Sequence, residues 1–285
     1  MNTAGNPMKP TGSVNIEVIA TGDELIYGRI LDTNSNWIAK RIAEMGARLR
    51  RVTMIGDEPE LIGTTLLNAL KRDAHFIITT GGLGPSEDDL TVDSIGAALG
   101  LGTLIDEEGA SKIEAVYRKR GITDKASIER GRRMARILDG SKSMQNPVGF
   151  AVGMMVDIGG KTICTLPGVP AEMKGMFDAH IAPMIMNQTN TVFTARTVNI
   201  SMIWKAFFPL YRQMQIDYPD IYIKNAATPP VEGDDRDKVH VIKVDFVLEA
   251  ETLEKAEEQM EAFIADYMER IEKAGGGEML LINAN

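Results

Sequence analysis

Apolar positions follow two rhythms along the chain, short unbroken runs and runs spaced three or four apart, and their alternation predicts most of the elements. Asn15-Ile-Glu-Val-Ile-Ala20 reads as a short buried strand ending at the turn signal Thr21-Gly22-Asp23. Asp32-Thr33-Asn34 then offers N-cap side chains, Trp37, Ile38, Ile42 and Met45 recur at helical spacing, and Gly46 supplies the stop. A strand follows over about Arg48 to Ile55. Asp57-Glu58-Pro59 opens a helix carrying Leu61, Thr65, Leu66 and Leu70 on one face. The run Ala74 to Thr79 is almost wholly apolar, as expected of a strand covered on both faces. It leads through Thr80-Gly-Gly-Leu-Gly-Pro-Ser-Glu-Asp-Asp89 into a periodic helix from about Asp88 to Leu99. Strands and helices alternating on short connections imply a parallel, doubly wound sheet.

Two basic segments, Lys112 to Arg120 and Ala126 to Leu138, are predicted as helices. A hairpin is predicted from Val148 to Val156 and Lys161 to Leu166, turned at Gly159-Gly160, and Pro167-Gly168-Val169-Pro170 leads into a helix near Ala171 to Phe177. The polar stretch Met186 to Thr194 marks a boundary. Beyond it come a strand (Arg196 to Ser201), a helix (Met202 to Ile216), a strand (Asp220 to Lys224), a loop (Thr228 to Asp237), a strand (Val239 to Leu248) and a long helix (Glu251 to Ala274). The expected organisation is therefore a flexible N-terminal segment 1–13, an α/β domain 14–188, and a smaller α+β domain 191–285. A length of 285 residues fits two domains at roughly 150 residues each.

Composition narrows the function classes. With 44% hydrophobic and 25% charged residues the chain is an ordinary globular one. It has no apolar run long enough to span a membrane and no apolar signal sequence at its N-terminus, and one cysteine fits a reducing compartment, so a cytoplasmic protein is expected. The net charge is -9, and residues 191–285 hold 10 Lys and Arg against 17 Asp and Glu. Phosphate-neutralising nucleic-acid binders carry a basic excess, so no nucleic-acid partner is expected.

The informative stretch is Thr79 to Thr91. Gly81, Gly82 and Gly84 let the backbone turn sharply beside a ligand, at the sheet edge where open α/β folds bind anions. Ser86 is expected to cap the following helix, for about 1 kcal/mol. Glu87, Asp88 and Asp89 could simply complement the helix dipole, at about 0.3–1 kcal/mol each. Their location argues for more, because Asp23 and Glu24 follow the first strand and Asp57 the second. Two carboxylates about 4 Å apart repel by around 4 kcal/mol at an effective dielectric of 20. A shared cation resolves that conflict, and oxygen ligands with phosphate suit Mg²⁺ or Mn²⁺. The loop is neither a Walker loop nor a dinucleotide fingerprint.

Ala20-Thr-Gly-Asp-Glu-Leu25, Gly28-Arg-Ile-Leu-Asp-Thr-Asn34, Ile55-Gly-Asp-Glu58, Thr79 to Thr91, Asn146-Pro-Val-Gly149 and Leu166-Pro-Gly-Val-Pro-Ala-Glu-Met173 together resemble the CinA (competence/damage-inducible protein A) family. More distantly they are similar to the MogA, MoaB and MoeA molybdopterin-binding domains. The resemblance covers about Val14 to Ala182 and implies a three-layer α/β/α, mostly parallel, molybdopterin-binding-like domain. The remainder resembles the family's small intermediate domain of KH-like topology, without a Gly-x-x-Gly clamp, and the sequence is expected to stop before the nicotinamide mononucleotide deamidase domain of longer relatives. The family implies Asp89 and Asp57 as catalytic residues and Asp23, Asp57 and Asp89 as metal ligands for Mg²⁺, Mn²⁺ or Co²⁺. It implies Gly81, Gly82, Gly84 and Ser86 as the phosphate loop, and Asn146, Pro167 and Gly168 as further substrate contacts. It departs at Phe150 and Val152, where the family's run has Thr and Pro.

Three functions follow as expectations. The first is metal-dependent hydrolysis of an ADP-ribose-type pyrophosphate to AMP and ribose 5-phosphate. The second is binding or adenylylation of molybdopterin in molybdenum cofactor biosynthesis, and the third is a non-catalytic nucleotide sensor. The expected ligand is a nucleotide or pterin phosphate, and relatives imply a homo-oligomer, dimer or trimer. His75, His180 and His240 lack ligand spacing, Cys164 is read as a buried inert thiol, and Arg130, Arg132, Arg133 and Arg136 as a solvated helical face or subunit contact, with a grip on a phosphate or carboxylate as the alternative.

Overall fold

The computed structural model describes residues 14–189, 191–226, 238–275 and 277–282. The N-terminal segment 1–13 and the whole of the loop Thr228 to Asp237 lie outside the described residues. The chain divides into two compact units, Ser13–Thr189 and one beginning at Asn190.

The first unit runs β1 (Asn15–Thr21), α1 (Asp23–Ile26), α2 (Thr33–Glu44), β2 (Arg48–Ile55), α3 (Pro59–Leu70), β3 (Phe76–Thr80), α4 (Thr91–Leu99), β4 (Thr103–Ile105), α5 (Glu107–Lys119), α6 (Lys125–Arg132), β5 (Arg136–Leu138), β6 (Lys142–Met144), β7 (Gly153–Ile158), β8 (Lys161–Leu166), α7 (Pro170–Met176) and α8 (Ala182–Met186). Among the described residues its main sheet has the order β2-β1-β3-β8-β7-β6. The first four are mutually parallel, and β7 runs antiparallel to both neighbours. The α/β class with a mostly parallel sheet is as expected.

Period-two alternation in the strands explains the three layers. Ile19, Ile77 and Ile163 point to one face, where Ile62, Leu66, Ile95 and Ile113 of α3, α4 and α5 meet them. Val18, Phe76, Ile78 and Cys164 point to the other, against Ile38 and Ile42 of α2 and Met173, Met176 and Phe177. Asp32 caps α2 by accepting from the Ser35 amide at 2.9 Å, and Pro59 occupies the first turn of α3.

One expected helix is broken in two. The segment Ala126 to Leu138 does not continue past Arg132; a single 3₁₀ turn, Arg133–Ala135, leads into β5, which pairs antiparallel with β4. Outside partners fix this backbone: Val152 donates to the Met134 carbonyl at 2.7 Å and Asp106 to the Ala135 carbonyl at 2.8 Å. Leu138 is then fully buried. The expected common helical face of Arg132 or Arg133 with Arg136 therefore does not exist. The first strand of the hairpin also starts late, at Gly153, because 146–152 is a side-chain-organised turn.

The second unit contains β9 (Val192–Ile203), α9 (Trp204–Asp217), β10 (Ile221–Ala226), β11 (Val239–Ala250), α10 (Leu253–Lys273) and β12 (Met279–Ile282), with an antiparallel sheet ordered β10-β11-β9-β12. Val198 and Ile200 pair with Val244 and Ile242 and bury, with Phe207, Phe263 and Tyr267, one face of the sheet. The strand β12 was not read from the sequence, being four residues that follow a glycine run.

His75 and His180 act as backbone anchors, at 3.0 Å from the Asn15 amide and 2.7 Å from the Gln145 carbonyl. Burial pushes the Cys164 thiol up to about 12, so it is un-ionised and inert at neutral pH. Among the described residues no helix is long and apolar enough to cross a membrane.

Phe177 is fully buried and meets Trp37 edge-on, ring centroids 5.5 Å apart. Phe177→Ala is expected to lose about 3–5 kcal/mol of stability in the first unit, measured by chemical denaturation.

Candidate functional site

Parallel register brings four loops to one edge. Thr21 stands beside Ile55, Ala20 beside Thr80, and Thr80 beside Leu166, so the turns after β1, β2, β3 and β8 leave the sheet side by side. Gly22 donates to the Ile55 carbonyl at 3.1 Å and Gly81 to the Leu166 carbonyl at 3.0 Å, tying neighbouring turns together.

The turn after β3 needs its glycines. Gly81 has φ +104°, and a Cβ there would lie 2.2 Å from the Thr21 carbonyl oxygen; Gly82 has φ +64°, with the Thr91 hydroxyl 2.1 Å from its would-be Cβ. Thr91 Oγ1 donates to the Gly81 carbonyl at 3.0 Å and lies 3.3 Å from Thr21 Oγ1. Thr21 Oγ1 in turn donates to the Thr80 carbonyl at 3.3 Å. These hydroxyls join the end of β1, the glycine turn and the start of α4.

The helix α4 begins at Thr91, later than the Asp88 expected, and Ser86 does not cap it. Ser86 instead donates its backbone N–H to Asp89 Oδ2 at 2.8 Å, which closes the turn before the helix starts. Asp88 and Asp89 accordingly precede the helix rather than lie inside its first turn.

Asp23 and Asp57 are mutually braced. The Asp23 amide donates to Asp57 Oδ2 at 3.0 Å, and the Asp57 amide to Asp23 Oδ1 at 3.2 Å. The Asp57 carboxyl is held above the usual aspartate range, chiefly because it is partly buried. The Asp23 amide opposes that rise, while the charges of Asp23, Glu24 and Asp88 add to it.

A cavity of about 440 Å³ opens over this edge. Glu24, Asp57, Asp88, Asp89 and Glu172 line it, as do Gly81, Gly82, Gly84, Ser86, Pro167 and Gly168, and no Lys or Arg does so among the described residues. Leu83, Met134 and Phe150 give it an apolar side. Most of the expected site is thus brought together. Three expectations change. Asp23 does not line the cavity; its carboxylate serves the Asp57 backbone. The expected set Asp23, Asp57 and Asp89 does not form a ligand cluster, since among the described residues no three acidic, His or Cys side chains stand close enough to hold a metal alone. Asn146 does not line it either: its Oδ1 accepts from the Val148 and Gly149 amides at 3.0 and 2.8 Å, and its Nδ2 donates to Glu172 at 2.6 Å and to the Ala151 carbonyl at 3.2 Å. Asn146 organises the turn that presents Phe150 and holds Glu172.

Phe150, a departure from the family run, faces the cavity, and the Arg120 guanidinium lies 5.4 Å from its ring centroid. Val152, the other departure, is buried in the core and faces away. Glu172 and Met134 were missed. For Glu172 the available signal was an acid in the first turn of a helix directly after Pro167-Gly168-Val169-Pro170.

Residues 17–187 match a family described as the probable molybdopterin binding domain. A protein of Aeropyrum pernix is 30% identical over 261 residues, 91% of this chain and 94% of that one. A CinA-like protein of Dictyoglomus thermophilum is 30% identical over 255 residues, 90% of this chain, which spans only 59% of that relative's length. The crystal structure of a CinA protein of unknown function from Thermoplasma acidophilum is 32% identical and matches with a TM-score of 0.55, covering 61% of this chain and 99% of that one.

Because folding raises the Asp57 pKa, stability attached to this group is full below the ordinary aspartate pKa of about 4 and is lost as pH climbs through the raised value. Asp57→Asn keeps an acceptor for the Asp23 amide and removes the charge. It should melt higher than wild type at neutral pH, on a scale of about 2–4 °C per kcal/mol, with the difference vanishing below about pH 4. Melting curves across pH, without ligand, check this.

Proposed function

Since the chain belongs to the probable molybdopterin binding domain family, among CinA-like relatives, we propose that it is a divalent-metal-dependent pyrophosphatase acting on nucleotide-sugar diphosphates of the ADP-ribose type. The observation that carries this reading is the cavity itself: a glycine turn of the kind that accepts phosphate, facing five carboxylates with no basic side chain between them. A diphosphate enters such a space only with a cation.

The donor chemistry fits Mg²⁺, Mn²⁺ or Co²⁺ in the manner usual for phosphate substrates, where one or two carboxylates bind and substrate oxygens and water complete the shell. Asp57 and Asp89 are the proposed ligands, with Asp23 as a brace for Asp57 rather than a ligand. A bound cation supplies charge neutralisation of the diphosphate and polarisation of the phosphorus under attack. A carboxylate, Asp57 or Asp89, orients or deprotonates the attacking water. Gly82 and Gly84 hold the phosphate oxygens through backbone N–H groups and Ser86 through its hydroxyl, the Gly81 and Ser86 amides being engaged by Leu166 and Asp89, while Pro167 and Gly168 close the opposite wall. Phe150 and Met134 offer an apolar surface to the base or sugar.

The family description favours a second reading, in which a pterin phosphate occupies the same turn and the ring stacks on Phe150, for binding or adenylylation. A non-catalytic nucleotide sensor would use the same contacts without turnover.

Purified protein with Mn²⁺ is expected to release AMP from ADP-ribose, and Asp89→Asn to lower the rate by at least about a hundredfold, a loss comparable to removing one group that acts on the transition state. Absence of AMP from wild type under Mg²⁺, Mn²⁺ and Co²⁺ would remove the hydrolase reading. Retained pterin fluorescence would then select the second reading, and a nucleotide-dependent melting shift without turnover the sensor.

A further inference from the structure

Four arginines, Arg130, Arg132, Arg133 and Arg136, crowd the segment after α5, and the structure separates them. Arg130 donates to Ser127 Oγ at 2.9 Å. Arg132 forks onto Glu107 at 2.7 and 2.9 Å. Arg136 is paired with Asp93. The Arg133 side chain alone of the four has no hydrogen bond or ion pair among the described residues, and its Nε is buried without an acceptor. A buried donor left unmade is unfavourable, most of all on a guanidinium, whose planar fork suits phosphate oxygens.

Its position gives that vacancy a direction. Arg133 lines a hollow of about 10 Å³ together with Gly82, Leu83, Gly84, Asp89, Val92 and Arg136, the last of them already paired with Asp93. Gly82, Leu83, Gly84, Asp89 and Met134 line the main cavity as well, so the glycine turn is a thin partition between the two. Two residues of that partition have no side chain. The 3₁₀ turn holding Arg133 is pinned by the Met134 and Ala135 carbonyl bonds, so the residue is held beside the hollow by fixed backbone.

We propose that Arg133 is the phosphate-recognising cation of this site, serving the substrate's diphosphate from behind the glycine turn, an assignment that deepens the nucleotide-diphosphate reading and rests on it. The main cavity has carboxylates on its walls and no basic residue among those described. Of the two arginines beside the glycine turn, Arg136 is neutralised by Asp93, so Arg133 supplies the positive charge left unpaired there and favours anion entry where the walls oppose it. It acts as a positioning residue: it sets where the phosphate sits, and the water and the carboxylates do the chemistry.

The test is calorimetric binding of inorganic pyrophosphate, with Mg²⁺ present, to the full chain as wild type, Arg133→Met, Arg133→Lys and Arg130→Met. Arg133→Met should weaken pyrophosphate at least about tenfold, the scale of losing one nearby unpaired charge, and leave the ligand-free melting temperature nearly unchanged. Arg133→Lys should recover part of the loss, and Arg130→Met should match wild type. With ADP-ribose, Arg133→Met should raise KM more than it lowers kcat. Pyrophosphate affinity equal to wild type in Arg133→Met, with a lowered melting temperature, would make Arg133 a structural group satisfied by water and overturn the assignment. Equal losses in the Arg130 and Arg133 variants, or no pyrophosphate binding by wild type, would overturn it too. Should Arg133→Met fail to fold, Arg133→Gln replaces it under the same criterion. Arg133-dependent pyrophosphate binding without ADP-ribose hydrolysis sinks the substrate reading alone; hydrolysis with an unchanged KM in Arg133→Met sinks Arg133 alone.

Discussion

Electrostatic crowding at the carboxyl edge of a parallel sheet sets the terms for the rest of the first unit. Strands β2, β1, β3 and β8 run the same way, so their exit turns cannot avoid one another, and each carries either acids or unshielded amides to that edge. The reciprocal amide bonds of Asp23 and Asp57 relieve part of the repulsion, but Asp57 still ionises less readily than an ordinary aspartate. A fold that keeps such a group partly out of water gives up stability at a place where a ligand or cation would restore it. Nothing in the packing of the sheet requires these acids; Ile19, Ile77 and Ile163 would bury equally well without them.

The sheet was legible in the sequence because its strands are short, nearly continuous apolar runs separated by helices with a clear 3.6 period. Asn15 to Ala20 and Ala74 to Thr79 could hardly be anything else. The glycine turn was equally plain, since Gly81 and Gly82 adopt backbone angles that other residues rarely tolerate. Asp57 and Glu24 were legible because they stand just after strands, where the topology gathers groups, and Asp89 because it ends the glycine loop before α4.

What could not be read locally was fixed by distant partners. The helical pattern of Ala126 to Leu138 is real, yet the bonds from Val152 and Asp106 capture the carbonyls of Met134 and Ala135 and turn the chain into β5. Ser86 carries a good capping side chain, but Asp89 takes its amide first and the helix begins two residues beyond Asp89. Asn146 sits in a motif that looks like a ligand contact, and all of its polar atoms are used within the loop and on Glu172. Asp23 was misjudged for the same reason, its carboxylate being drawn to a neighbouring backbone. In each case a polar side chain had two plausible partners, and only the three-dimensional arrangement decided between them.

The hydroxyls of Thr21 and Thr91, bonded to the carbonyls of Thr80 and Gly81, make one side of the cavity a fixed jaw. Shifting the glycine turn would break bonds to β1 and to α4 at once, so that side can serve only one geometry of anion. The opposite jaw, carrying Phe150, is held by the side chains of Asn146 and Glu172 rather than by a sheet ladder. The turn at 146–152 is therefore the adjustable surface of the cavity, one that can be retooled without disturbing the glycine turn.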